Sequence, residues 1–94
     1  MHLAINAFFW NKINSGSGQY IRYLVQHINY LVSDLNVTLV LPRLENEPAP
    51  SGVPPSVKVK TVPLRPGNLG KVIFEQIDFP RACREVGADL AHVP

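Results

Sequence analysis

The chain of 94 residues holds one cysteine, Cys83, so it closes no disulfide within itself. That usage fits a reducing compartment, and the cytoplasm is the expected location. Charge is sparse as well: 17% of residues are charged, and nine Lys/Arg stand against seven Asp/Glu. They are scattered, and no basic run or stripe offers a nucleic acid its electrostatic footprint, so no nucleic-acid partner is expected. The slight basic excess permits peripheral contact with the inner face of a membrane. A long apolar run is missing too; none approaches the roughly 20 residues that a spanning helix needs. The opening residues, Met1-His2-Leu3-Ala4-Ile5-Asn6, lack a basic start followed by an extended apolar stretch and do not read as a signal peptide. The three histidines, at positions 2, 27 and 92, have no metal-ligand spacing, and no Ser-His-Asp or Cys-His pairing follows from the pattern. Neither a metal nor a cofactor is expected.

What is present suits a packed core. Hydrophobic residues make up 46% of the chain, too many for a disordered one. The length allows one small domain. Leu3 to Ala7 is a short apolar run and reads as a buried strand. From Gly18 onward, Ile21, Leu24, Val25, Ile28, Leu31 and Val32 recur with the helix period, and Ser17 is the expected N-cap. Asp34 to Asn36 reads as a turn. Val37 to Leu41 reads as a second buried strand that Pro42 ends. Arg43 to Ser56 holds Pro48, Pro50, Pro54 and Pro55 and reads as a surface connection. Val57 to Val62 alternates apolar and polar residues and suits an edge strand whose lysines discourage further pairing. Pro63 to Asn68 is a loop. Leu69, Val72, Ile73, Ile77, Ala82 and Val86 keep an approximate helix period, which Pro80 must break, kink or restart after a cap at Asp78. Gly87 stands where a helix-ending glycine belongs. Asp89 to Val93 reads as a last strand, apolar enough to be central.

The order is β-α-β-β-α-β. Buried strands separated by amphipathic helices predict an α/β fold, a partial Rossmann-like parallel sheet. A final strand left uncovered predicts that residues 1–94 are the front half of a larger domain and that the isolated piece self-associates.

The loop before the first helix carries two glycines, Gly16 and Gly18. It is not the dinucleotide fingerprint G-x-G-x-x-G, because Ile21 stands at the third glycine position and no acid closely follows the second strand. It is not a Walker loop, because no Gly-Lys-Ser/Thr follows. Glycines there still let backbone approach a ligand, and a helix start presents free N–H groups and a positive dipole end. The plain alternative is a turn that begins a helix. Lys12 and Trp10 lie in the same loop; the lysine reaches toward a phosphate or is merely solvated, and the indole stacks on a sugar or packs. Phe8 and Phe9 favour packing. Tyr20 and Tyr23 read as interfacial packing, Arg65 and Lys71 as solvated charges beside a turn or contacts to a phosphate or membrane surface, Glu75 as a helix-surface hydrogen bond, and Cys83 as core filler.

Two stretches, INAFFWNKINSGSGQYIRYLVQHI and FEQIDFPRACREVGADLAHVP, resemble the N-terminal region of group 1 (family 4) glycosyltransferases of the GT-B fold. The resemblance implies a retaining enzyme that moves a hexose from a nucleotide diphosphate sugar to a saccharide or lipid-linked acceptor. It implies that residues 1–94 are the incomplete, acceptor-side Rossmann-like domain of a hexosyltransferase. The donor-binding domain is absent from them, so this piece alone should be inactive. It further implies that Gly16, Ser17 and Gly18 line the interdomain cleft and that His92 faces the same cleft from the end of a strand. Many relatives place a second histidine two residues on, where this chain has Pro94. His92 is thus the candidate catalytic residue, against a plainly structural histidine, and Lys12 and Trp10 are candidate substrate contacts. The alternative readings are a small stand-alone α/β module for a phosphorylated ligand and a non-catalytic subunit that completes its sheet with a partner.

Overall fold

The computed structural model describes residues 1–11, 16–31, 35–43, 50, 52–64 and 69–93, and of residues 17 and 29–31 the backbone only. The Asp34 turn, most of the proline-rich connection and the loop at Arg65 fall largely outside the described residues. Four strands, β1 (His2–Asn6), β2 (Asn36–Arg43), β3 (Lys58–Pro63) and β4 (Leu90–His92), form one sheet in the order β3-β2-β1-β4. Every pairing is parallel. The expected α/β, partial Rossmann-like sheet is therefore the fold.

Strand alternation sends neighbouring side chains to opposite faces. Ile5, Val37, Leu39 and Leu41 meet Ile21 and Val25 of helix α1 (Gly16–Leu31), with Trp10 and Val57 closing that core. Ala4 and Val40 point the other way and meet Phe74, Phe79 and Ala82. The sheet is thus covered on both faces. Each fully buried large side chain contributes about 1.5–3 kcal/mol.

The second cover is one helical stretch with a widened middle. Helix α2 (Gly70–Ile73) runs into a π-helical turn, Phe74–Asp78, and then into α3 (Phe79–Glu85). Pro80 has no N–H to give and would press on the carbonyl four residues back. The backbone widens just before it, and the N–H of Phe79 bonds the carbonyl of Phe74, five residues back. A π turn brings residues five apart onto one face, so both rings reach the same core. This corrects the expected stripe. Leu69, Val72 and Ile77 are 65%, 53% and 45% exposed, while Phe74, Asp78, Phe79 and Ala82 are buried. Two large rings outweigh the looser aliphatic period. α3 then ends as expected: Gly87 takes φ +70, its N–H bonds Arg84 and the N–H of Ala88 bonds Cys83, a Schellman closure.

Three further expectations change. α1 begins at Gly16, so Ser17 lies inside the first turn and is not the N-cap. β2 continues through Pro42. The Val40 carbonyl accepts the N–H of Ala7 on the β1 side, and Pro42, two residues on, faces that same side after β1 has turned away. Its missing N–H is not needed there. β4 lies at the edge of the described sheet, not at its centre, with Leu90 53% exposed.

Candidate functional site at the β1–β4 crevice

The chain starts in β1, moves outward through β2 to β3, and then crosses back to the other side of β1 for β4. Connections on the two sides of β1 therefore leave toward opposite faces. At such a switch point open α/β sheets form a crevice beyond the strands' carboxyl ends, where ligands bind.

Register puts His92 beside Ile5, one residue before the end of β1. Its imidazole is only partly exposed, and Nε2 is sealed from solvent. Among the described residues it is the buried side-chain nitrogen or oxygen that has no hydrogen-bond partner. Leaving such an atom unsatisfied costs about 1–3 kcal/mol. A hydroxyl or oxyanion placed there would relieve that cost, since imidazole nitrogen donates or accepts according to its tautomer.

Beside it, Asn6 ends β1. It is 4% exposed, and its Oδ1 accepts the N–H of Phe8 at 3.1 Å, which turns the chain away from the sheet. The sequence reading missed Asn6; its signal was a polar residue closing an apolar strand. Phe8 packs edge-on to Phe74 at 5.3 Å between centroids, and Phe9 packs on the opposite core. Both phenylalanines pack, as expected. Lys71 is not simply solvated: its Nζ lies 4.9 Å from the Phe9 ring centroid and 3.5 Å from Glu75.

The glycine pair divides. Gly16 is exposed at the start of α1, and a Cβ built there meets nothing within 4 Å. Gly18 is buried in the first turn. The first turn of this 16-residue helix carries a partial positive charge. Ser17 is in that turn by its backbone. Lys12 lies outside the described residues. Trp10 is 0% exposed, and the Arg22 guanidinium lies 4.6 Å from its ring centroid, so the indole offers no face to a sugar. The expected stacking contact is replaced by packing. Tyr20 and Tyr23 are 49% and 64% exposed, and Tyr23 stacks on His27 at 3.9 Å.

His92 and Asn6 thus stand together at the carboxyl ends of β4 and β1. The two displaced acid–base groups stand away from them. Burial pushes the Cys83 thiol up, and the hydrogen bond and charge of Lys60 pull Glu85 down. Among the described residues no cluster of three or more His, Cys, Asp or Glu could hold a metal, and no helix is long and apolar enough to cross a membrane. No protein-family model, curated protein or solved structure matches the chain.

Proposed function

We propose that these residues form the acceptor-side Rossmann-like domain of a retaining glycosyltransferase, which moves a hexose from a nucleotide diphosphate sugar to a saccharide or lipid-linked acceptor. The observation that carries the reading is the Nε2 of His92 at the β1–β4 switch point, buried and without a hydrogen-bond partner among the described residues. It is joined by the sequence resemblance and by the glycine-flanked start of α1. In this reading His92 hydrogen-bonds a sugar hydroxyl next to the reacting centre. The acceptor oxygen bonds the anomeric carbon, the bond from that carbon to the diphosphate breaks, and the acceptor proton leaves with the diphosphate. The partial positive charge at the α1 start stabilises the charge developing on the departing oxygens. A second Rossmann-like domain, not among these residues, holds the nucleotide. The protein works in the cytoplasm, at the inner membrane face when its acceptor is lipid-linked.

The test is an NMR titration of the chain with simple saccharides, a short polyprenyl phosphate and a nucleotide diphosphate hexose. Saturable shifts of the His92 ring and the Gly16 amide with an acceptor, and none with the nucleotide sugar, are expected. Micromolar binding of the nucleotide sugar would contradict the acceptor-side assignment. Silence of both signals with every ligand would defeat the reading.

A further inference from the structure

The outward side of α1 is aromatic where a helix surface is ordinarily charged. Between Gly16 and Leu31, Arg22 is the one residue drawn from Lys, Arg, Asp and Glu, and it is engaged with Trp10. Tyr20, Tyr23 and His27 are all exposed. They follow one another at three and four residues, so their side chains share one stripe that runs about 10 Å along the helix axis. Gln26, next to His27 in the chain, is exposed as well.

Two contacts order the row before any ligand arrives. The Tyr23 ring stacks on the His27 imidazole at 3.9 Å between centroids and 28° between planes. His27 Nδ1 lies 2.9 Å from the Tyr23 carbonyl oxygen. A carbonyl only accepts, so Nδ1 carries the hydrogen and the neutral ring keeps Nε2 as an acceptor. The row therefore offers ring surface, phenol hydroxyls and one fixed acceptor, with part of the ordering cost of binding already met by the fold. None of these side chains is an ammonium, a guanidinium or a carboxylate, so a phosphate or an amine finds no counter-charge on the row. The matching ligand is neutral, has flat apolar faces and carries hydroxyls at its edge. Pyranose rings have that form. Their C–H faces lie on aromatic rings while their hydroxyls reach hydrogen-bonding groups alongside.

We propose that the face of α1 formed by Tyr20, Tyr23 and His27 binds a neutral oligosaccharide, with sugar rings on the tyrosines and a sugar hydroxyl donating to His27 Nε2. The row is longer than one sugar ring, so a chain gains contacts that a monosaccharide cannot make. The site does not rest on the glycosyl-transfer reading. It assigns no reaction, and its reporters are Tyr23 and His27, whereas those of the crevice are His92 and Gly16.

The experiment is an NMR titration of the chain with maltotetraose and with cellotetraose, read on backbone amides and aromatic rings. Glucose is the single-ring control. Sorbitol keeps the hydroxyls but has no ring face. Decaproline tests a proline-rich peptide, the other occupant that aromatic rows receive. Saturable shifts at Tyr20, Tyr23 and His27 are expected with at least one tetrasaccharide in the millimolar range, with glucose at least ~10-fold weaker and sorbitol not saturating. A response to one tetrasaccharide alone assigns the linkage. Tyr23→Ala, at an exposed position that leaves the fold intact, should weaken binding at least ~10-fold, while Tyr23→Phe keeps the ring and should bind within about 3-fold of the parent. The proposal fails if neither tetrasaccharide saturates by about 50 mM, or if sorbitol binds as tightly as they do. It fails equally if Tyr23→Ala binds as the parent does, or if decaproline alone saturates the row.

Discussion

Arg22 binds Trp10 twice. Its Nε donates to the Trp10 carbonyl at 2.9 Å, and its guanidinium lies 4.6 Å from the centre of the indole ring. One side chain on α1 thereby fixes both the backbone and the ring of the loop that leaves β1. A partly desolvated cation–π contact is worth about 1–2 kcal/mol and a hydrogen bond from a charged donor about 1.5–3. Arg22→Ala should cost about 2–3 kcal/mol by denaturant titration, allowing for overlap between the two contacts. Arg22→Lys should recover less than half, because an ammonium lacks the planar fork. Trp10 is the one tryptophan, so its emission reports the contact directly. A blue, poorly quenched spectrum is expected, moving red in Arg22→Ala. Unchanged emission and stability would remove the anchor.

Among the described residues two glycines have positive φ, and they should respond differently to alanine. At Gly87, φ +70, an added Cβ meets nothing within 4 Å, so only backbone strain of about 1–2 kcal/mol is expected. At Gly52, φ +75, the added Cβ falls 2.8 Å from the Arg22 guanidinium. That arginine is committed to Trp10, and moving it loosens the anchor as well. Gly52→Ala should therefore be the more destabilising of the two and should redden the Trp10 emission, while Gly87→Ala leaves it alone. Equal costs, with emission unchanged in both, would contradict this.

A reader of the sequence could find the sheet because β1 and β2 are unbroken apolar runs and α1 keeps one clear period. The second helix misled for a physical reason. Leu69, Val72, Ile73 and Ile77 count correctly for an α-helix, but Pro80 forces a π turn, and the turn re-aims every residue around it. Asp78 became buried by that re-aiming, which no local pattern announces. The candidate site was half legible. His92 does stand at a strand end and Gly16 at a helix start, where the sequence put them. Trp10 was misjudged, since aromatic residues in a loop look alike whether they face solvent or core. Asn6 was overlooked because its role is a bend closed by its own side chain.

The Lys60–Glu85 bridge predicts an acid dependence. Lys60 holds the Glu85 carboxyl below its ordinary value, by hydrogen bond first and by charge second. A carboxylate with a depressed folded value adds stability above its unfolded value and loses that stability as pH falls through the folded one. Both groups reach solvent, so added salt should shrink the effect. In Lys60→Gln the Glu85 side-chain titration, followed by NMR, should move up toward that of an ordinary glutamate. A curve identical to the parent's would mean that the bridge does not form in solution.

Cys83 gives the opposite sign. Burial raises its thiol against weaker lowering by its own backbone and by Arg84. A group raised in the folded state favours folding below its unfolded value, and that contribution fades as pH rises through the folded value. The thiolate is the reactive form, so at pH 8 alkylation of the native chain should run several-fold slower than that of the urea-unfolded chain. Equal rates would place the thiol in open solvent.

The exposed outer side of β4 makes the last prediction. Leu90 is 53% exposed on an edge strand, and Val93 just beyond it is 58% exposed. Unpaired strand edges with apolar side chains recruit further strands, and a lysine on such an edge discourages them. Light scattering should show association that grows with concentration. Leu90→Lys should shift it toward monomer, with little change in thermal midpoint because the side chain already faces solvent. If the variant associates as strongly as the parent, the contact lies elsewhere; the exposed Leu69, Val72 and Ile77 are then the surface to alter next.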